Sequence, residues 1–236
     1  MRTEEKTVTQ VVTLLAHGCP LQAICAAFDL DEPTVLNWHQ RAASQSERVQ
    51  KLMVEVPRKL GEVQSDELRV KAQGRLFWMA SSMQVSTRLW LGVVVSECRD
   101  LPLIVSLIMI VKRCASALGR GFWFTSDGLT SYVSAIREVF REPDHPLQPG
   151  RPRLVSWPKI LIAQVIKRVE ARRVVEIERR RVQGSAEEVE LLRHKSKEGG
   201  VLNTSFIERL NGIFRQRLSC LARRRRALIG LPERLH

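Results

Sequence analysis

The stretch SDELRVKAQGRLFWMASSM, residues 65–83, decides the fold that this sequence predicts. Its first half alternates between two kinds of side chain, which is the pattern of a β-strand. One face of that strand carries Asp66, Leu68, Val70 and Ala72, and the other carries Glu67, Arg69, Lys71 and Gln73. Gly74 follows at a turn, and further strand-like runs continue to residue 96 at hairpin spacing. The stretch therefore predicts three antiparallel strands.

Helices and strands alternate beyond this meander. The sequence predicts a helix over about 100–118, a strand at 122–126 and a second helix over about 129–140. A meander followed by alternating strands and helices is typical of an α/β domain. The five prolines of residues 141–158 predict a loop, and the basic residues 159–195 fit either a strand pair or a helix.

Three short helices are predicted before the meander, between residues 7 and 44. Proline opens the second helix at Pro20 and the third at Pro33, a position that proline favours. Two helices joined by a tight turn, with exposed polar side chains on the second, are typical of a helix-turn-helix that binds DNA. The side chains predicted to contact DNA are Asn37, Gln40 and Arg41. Any other three-helix bundle is the alternative.

The charge balance indicates a polyanionic partner. Thirty-eight Lys and Arg residues outnumber 25 Asp and Glu residues, which gives a formal net charge of +13 and a sequence pI near 10.3. Basic side chains that neutralise phosphates release condensed counterions, so a nucleic acid is the expected partner. A soluble protein whose surface is merely basic is the alternative.

Other classes of protein are disfavoured by what the sequence lacks. The five cysteines are irregularly spaced, which argues against a disulfide framework or a zinc site and favours reduced thiols in the cytoplasm. The first residues lack the apolar segment of a signal peptide. The longest apolar run, residues 101–111, is too short to span a bilayer, so no membrane partner is expected.

Two carboxylates of the predicted sheet are candidates for a site. Asp66 lies on the apolar face at the start of the first strand, where an acid is costly unless it reaches water, a partner or a metal. Asp127 follows the strand at 122–126, and the carboxyl ends of strands are where open α/β sheets bind ligands. The alternatives are an ordinary strand-end Asp at 66 and a turn Asp before Gly128.

A third carboxylate lies in the basic helix FIERLNGIFRQRL, residues 206–218. The apolar stripe of this helix contains Ile207, Leu210, Phe214 and Leu218. Glu208 and Arg215 project from the opposite side, with Asn211 at the margin. Because Ser205 and Glu208 have the spacing of a capping box, the alternative is that Glu208 only closes the start of the helix.

Together the three acids predict a metal site. An early strand Asp, a strand-end Asp and a helical Glu can converge on divalent cations, and Mg²⁺ and Mn²⁺ prefer oxygen ligands. Two such ions clamp the attacking and leaving oxygens of a phosphodiester displacement. A basic helix that carries the third acid would hold the DNA backbone during that reaction.

Three motifs resemble the acidic motifs of bacterial insertion-sequence transposases of the DDE class. They are SDELRVKAQGR, FTSDGLTSY and NTSFIERLNGIFRQRLSCLARRRRAL. The last motif is similar to that of a group with an N-terminal helix-turn-helix and an acidic helix of the form I-E-R-x-N-x-x-x-R-Q-x-L. Its matching residues are Ile207, Glu208, Arg209, Asn211, Arg215, Gln216 and Leu218. The resemblance covers roughly residues 7–44 and 62–228.

The resemblance implies a fold, a reaction and the residues that perform it. The expected fold is a ribonuclease-H-like α/β domain at 62–236, with a mixed sheet and flanking helices, after a helix-turn-helix domain at 1–45 and a linker at 46–61. The implied catalytic residues and metal ligands are Asp66, Asp127 and Glu208, which hold two Mg²⁺ or Mn²⁺ ions. Family members cut DNA at element ends and join the 3′-hydroxyl to target DNA. At least a dimer on DNA, in the bacterial cytoplasm at the nucleoid, is therefore expected.

Further DNA contacts are expected on the side chains around Glu208. These are Arg209, Asn211, Arg215, Arg223, Arg224, Arg225 and Arg226. The sequence departs from the family pattern at Arg69, where an aromatic residue is common, and by a basic insertion at about 144–200. It also stops soon after the acidic helix. The alternative function is therefore a non-catalytic helix-turn-helix DNA-binding protein or a truncated, decayed transposase.

Overall fold

The computed structural model describes residues 3–72, 74–115, 121–144, 152–157, 160–171, 173–185, 187–188, 202–218 and 221. Contacts divide these residues into two compact units. The first contains the residues up to Val56 together with those from Asn211 to Leu221, and the second contains the residues from Pro57 to Leu210.

Three helices begin the first unit. They are α1 (Glu5–Ala16), α2 (Leu21–Phe28) and α3 (Glu32–Glu55). Each contributes one fully buried residue to a common core, and these residues are Val11, Ile24 and Val35. Asp31 starts α3, because its carboxylate accepts a hydrogen bond from the backbone N–H of Thr34 at 3.2 Å. The three predicted helices are thus present, and α3 is longer than expected.

The connector predicted at 46–61 is largely helical. Residues 46–55 continue α3, which contains no glycine and no proline after Pro33. An ion pair between Glu47 and Lys51, at 2.8 Å and four residues apart, supports this exposed part of the helix. The helix ends just before Pro57, which cannot continue it.

A six-stranded mixed sheet forms the centre of the second unit. Its strands are β1 (Gly61–Ala72), β2 (Arg75–Gln84), β3 (Leu89–Ser96), β4 (Phe122–Ser126), β7 (Ile160–Glu170) and β8 (Arg173–Gln183). They lie in the order β3-β2-β1-β4-β7-β8. The first three are antiparallel, β4 and β7 run parallel to β1, and β8 returns antiparallel to β7. A separate two-stranded sheet pairs β5 (Arg141–Pro143) with β6 (Leu154–Ser156).

Helices cover the sheet. They are α4 (Leu101–Cys114), α5 (Thr130–Val139) and the first half of α6 (Ser205–Arg217). Asp100 caps α4 by accepting the backbone N–H of Leu103 at 3.2 Å, and α4 packs on β2, β3 and α5. The predicted α/β architecture with an antiparallel meander is confirmed. Within the described ranges, no helix combines the length and the apolar character that crossing a bilayer requires.

The basic region 159–195 contains an antiparallel strand pair, β7 and β8, as far as it is described. Within the expected basic insertion at 144–200, residues 160–164 pair with β4 inside the sheet, and the insertion itself stays a prediction. Residues 160–165 are buried throughout, as expected for a strand that is covered on both faces. The sequence did not predict this strand clearly, because its short apolar run is followed by many charged residues from Lys167 onward.

Candidate functional site

The pairing of β1 with β4 brings two of the predicted acids side by side. The parallel register runs from Gly61–Phe122 to Gln64–Thr125. Continuing it by two residues places Asp66 level with Asp127, which directly follows β4. Asp66 does not lie at the start of its strand, because β1 begins at Gly61. The two acids lie where β1 and β4 stop pairing and begin to separate.

Glu67 joins these two acids. Asp66, Glu67 and Asp127 each offer a carboxylate oxygen, and the three oxygens lie within 4.8 Å of one another. A set of three oxygen ligands at this spacing could hold a metal ion, and it suits a hard divalent cation. We call these three residues the acidic cluster.

The alternation of β1 assigned Glu67 to the polar face with Arg69 and Lys71, and so the sequence did not single it out. Its side chain is only 1% exposed, whereas Arg69 and Lys71 are exposed. Tyr132 of α5, which is fully buried, covers this part of the face. Such cover depends on a helix far along the chain, which a strand pattern cannot reveal.

Arg99 connects Glu67 to Asp127. It lies in the loop between β3 and α4, and its guanidinium donates to Glu67 Oε2 from Nε at 3.0 Å and from Nη2 at 2.6 Å. The same Nη2 donates to Asp127 Oδ2 at 2.9 Å, while Asp127 Oδ1 accepts the backbone N–H of Leu129 at 2.9 Å. One guanidinium therefore neutralises part of the charge of the acidic cluster.

Burial dominates the electrostatics of Glu67. Desolvation raises the pKa of Glu67 above its ordinary value, and the nearby charge of Asp127 acts in the same direction. The Tyr132 hydroxyl and the Arg99 guanidinium oppose this rise. Burial also raises the pKa of Tyr132 well above its usual range. Within the described part of the chain, neither Glu67 Oε1 nor the Tyr132 hydroxyl completes a hydrogen bond of normal geometry.

Glu208 lines the same cleft as Asp66 and Asp127, which has a volume of about 410 Å³. It is not one of the three acids that lie within 4.8 Å of one another. Its Oε1 atom accepts a hydrogen bond from the Thr204 hydroxyl and forms an ion pair with Lys167 of β7. The structure thus brings all three sequence-predicted acids to one cleft and adds Arg99 and Lys167 to its lining, while Glu67 lies buried beside Asp66 and Asp127.

The capping box considered for Glu208 is not formed. It would require Ser205 to precede the helix and its backbone N–H to donate to Glu208. Ser205 is instead the first residue of α6, and its N–H donates to Asn203 Oδ1 at 2.8 Å. Gln64 of β1 takes the next two helix amides, because its Oε1 accepts from Phe206 and Ile207 at 3.1 Å each. The carboxylate of Glu208 lines the cleft, and its contact at the helix start is with the hydroxyl of Thr204, the residue before α6.

The predicted DNA contacts differ in accessibility. Asn37, Gln40 and Arg41 are exposed along α3. On α6, Arg209 is exposed and Arg215 is half-buried. Asn211 contradicts the expectation, because it is 1% exposed and lies one helical turn after the buried Ile207, on the same side. The run Arg223, Arg224, Arg225 and Arg226 lies outside the described residues.

Several basic side chains of the hairpin β7–β8 have partners within the protein. Arg168 pairs with Glu170 at 3.0 Å, and Arg180 pairs with Glu178 at 3.0 Å. Arg179 donates from Nε to the Leu202 carbonyl at 2.8 Å. These contacts pair part of the hairpin's positive charge with groups of the protein itself.

Comparison with known proteins does not assign the chain to a family. No protein-family model matches the chain, and no curated protein matches it.

Proposed function

We propose that this chain is a DNA transposase of the DDE class, which cuts the ends of an insertion sequence and joins them to target DNA. The observation that carries the proposal is the cleft lined by Asp66, Asp127 and Glu208. These acids come from β1, the end of β4 and α6, as the resemblance requires. A mixed sheet flanked by helices supports the ribonuclease-H-like fold that the same resemblance implies.

The donor atoms of the acidic cluster fit the proposed Mg²⁺ or Mn²⁺. Three carboxylate oxygens within 4.8 Å of one another are hard ligands, and sulfur and imidazole donors are absent from that set. Asp66 and Asp127 would hold the metal between them, and Glu208 would complete a second site from α6. When bound, the ions polarise the scissile phosphate and stabilise the charge that develops on it.

The protein's own residues provide the rest of the proposed chemistry. Gln64 fixes the start of α6 on β1, so that Glu208 approaches Asp66 from a rigid element. The net charge of +13 favours a polyanionic substrate. The exposed side chains of α3 support the proposal that the first three helices form a helix-turn-helix that binds element ends.

The test is a nicking assay on the full-length chain. The substrates are duplexes taken from the DNA that flanks its own gene, incubated with Mg²⁺ or Mn²⁺, and the nicks are mapped. Asp66→Asn, Asp127→Asn and Glu208→Gln each remove a ligand charge at nearly constant volume. Each should lower nicking by about a hundredfold or more, because the metals supply most of the transition-state stabilisation.

Glu97→Gln is the matched control. Glu97 is an exposed acid of the second unit, paired with Arg75 at 2.8 Å, and it should be dispensable for nicking. DNA binding should survive in all three cleft variants, since each change removes a negative charge from a phosphate-facing site. A parent that binds these duplexes specifically but never nicks them would instead support the non-catalytic DNA-binding protein. Glu208→Gln with full nicking would remove Glu208 from the mechanism.

A further inference from the structure

Two acids of the cleft each carry an internal cation. Lys167 forms an ion pair with Glu208, and Arg99 forms one with Asp127 at 2.9 Å. Arg99 differs from Lys167 in that it also holds a second acid, Glu67, which is buried. The question is what Arg99 does when a cation enters the cluster.

The two contacts of Arg99 are unequal. Glu67 Oε2 accepts two hydrogen bonds from the guanidinium, and its side chain is 1% exposed. Asp127 Oδ2 accepts only one, and its side chain is 38% exposed. Because solvent screens an exposed ion pair far more than a buried one, the Asp127 contact is the weaker of the two. Arg99 is thus held mainly by Glu67 and only weakly by Asp127.

A metal ion at the acidic cluster would compete for the same oxygen. Asp127 Oδ1 already accepts the backbone N–H of Leu129, which leaves Oδ2 as the oxygen that Arg99 occupies. A guanidinium and a divalent cation on one carboxylate oxygen repel each other. Metal binding at this oxygen therefore favours release of the guanidinium.

Arg99 can replace its hydrogen bond to Asp127 by another hydrogen bond to Glu67. Glu67 Oε1 is buried, and among the described residues it completes no hydrogen bond of normal geometry, although the Tyr132 hydroxyl lies beside the Glu67 carboxylate. A guanidinium that releases Asp127 can turn Nη2 to this oxygen and hold Glu67 with two parallel bonds, the preferred arginine–carboxylate geometry. Its central carbon also lies 5.1 Å from the ring centroid of Trp78, which helps to keep it at the cluster.

We propose that Arg99 is a displaceable counter-ion of the acidic cluster. When a divalent cation is held by Asp66 and Asp127, Arg99 would release Asp127 Oδ2 and stay on Glu67, which positions it. In the absence of metal, Arg99 links Glu67 to Asp127 and holds Asp127 in place. This inference rests on the proposed metal site at Asp66 and Asp127, and it assigns to Arg99 and Glu67 a role that positions other groups.

The test measures the affinity of the full-length chain for Mn²⁺, by the loss of the electron paramagnetic resonance signal of free Mn²⁺. Arg99→Gln removes the competing charge and should tighten Mn²⁺ binding by about tenfold. It should also lower the melting temperature of the metal-free protein, since the acids lose their counter-ion, and Mn²⁺ should restore most of that loss. If the role of Arg99 is purely structural, Arg99→Gln should lower the melting temperature without raising the affinity for Mn²⁺.

Two variants separate this inference from the proposed metal site. Arg75→Gln removes an exposed, ion-paired arginine of the same unit, and it should leave Mn²⁺ affinity unchanged. Asp66→Asn should abolish tight binding. If Asp66→Asn binds Mn²⁺ as the parent does, the metal site itself is wrong, and the inference fails with it. If Asp66→Asn loses Mn²⁺ but Arg99→Gln binds no more tightly than the parent, the metal site stands and the counter-ion role is wrong.

A crystal structure of the unaltered protein with Mn²⁺ bound tests the counter-ion proposal without any variant. We expect Arg99 Nη2 to lie beyond 4 Å from Asp127 Oδ2, about the limit of an ion pair, with its hydrogen bonds to Glu67 retained. An Mn²⁺-bound cluster in which Arg99 still holds Asp127 would overturn the proposal.

Discussion

Gln64 in β1 accepts the backbone N–H of Ile207 in α6 at 3.1 Å, and this contact ties the strand that carries Asp66 to the helix that carries Glu208. The same Oε1 atom accepts from Phe206, and Nε2 donates to the Asn203 carbonyl at 2.9 Å. The first amides of a helix have no partner within the helix, and here a side chain from the sheet supplies one. The position of Glu208 therefore depends on a residue two positions before Asp66.

Replacing Gln64 by Leu should destabilise the protein and misplace Glu208. The substitution leaves two helix amides and one carbonyl buried without their partner, which should lower the free energy of unfolding by about 2–4 kcal/mol. Urea denaturation measures this loss. Gln84→Leu is the control, because Gln84 is also buried and donates to the carbonyls of Lys59 and Leu60, away from the cleft. Only Gln64→Leu should also reduce nicking at a temperature where both variants are folded.

Replacing Arg41 by Ala should weaken the binding of element-end DNA. Arg41 is exposed on α3, and the loss of a specific base contact costs about 1–3 kcal/mol. Fluorescence anisotropy with labelled duplexes measures the change. Lys51→Ala serves as the control, because Lys51 lies further along α3 and is paired with Glu47. An equal effect of both substitutions, or the same loss on random DNA, would argue against a base contact at Arg41.

Glu67 should make the metal-free protein less stable as pH rises. Its folded pKa lies above the ordinary value of 4.5, so the folded state binds the proton more tightly than the unfolded state does. The stability that this proton contributes is fully present below pH 4.5 and is lost as pH rises through the folded pKa. Glu67→Gln does not titrate, so the unfolding free energy of the parent minus that of the variant should fall over this window. Chemical denaturation in EDTA at a series of pH values measures it, and a difference that rises with pH would contradict the shift.

Cys114 should react far more slowly than Cys98 with a thiol reagent. Cys114 is buried in α4, and burial raises the pKa of its thiol, so little thiolate is present at pH 8. Cys98 is exposed. Mass spectrometry of iodoacetamide-treated native protein measures both rates, and unfolding in urea should abolish the difference. Rapid native labelling of Cys114 would show that α4 does not cover it as described.

Local patterns predicted the elements whose side chains repeat regularly, and tertiary contacts decided the others. The alternation of β1 was read correctly, and Asp127 was found because it follows an aromatic strand and precedes Gly128. Glu67 was missed because its burial depends on Tyr132 of α5. Arg99 was missed for a related reason, since a loop residue gives no periodic signal and its partners lie on β1 and after β4.

The dependence of one face of β1 on α6 has a consequence for the order of folding during synthesis. A ribosome makes the chain from its N-terminus, so β1, β4 and β7 emerge before Ile207 does. Until then Gln64, which is fully buried in the finished protein, remains in contact with water, and the sheet face that receives α6 stays open. Asp66 and Asp127 can lie side by side on the nascent sheet, but the cleft is complete only once α6 has been made. A growing chain thus has its first three helices long before it has all three acids of the cleft, since Glu208 is made last.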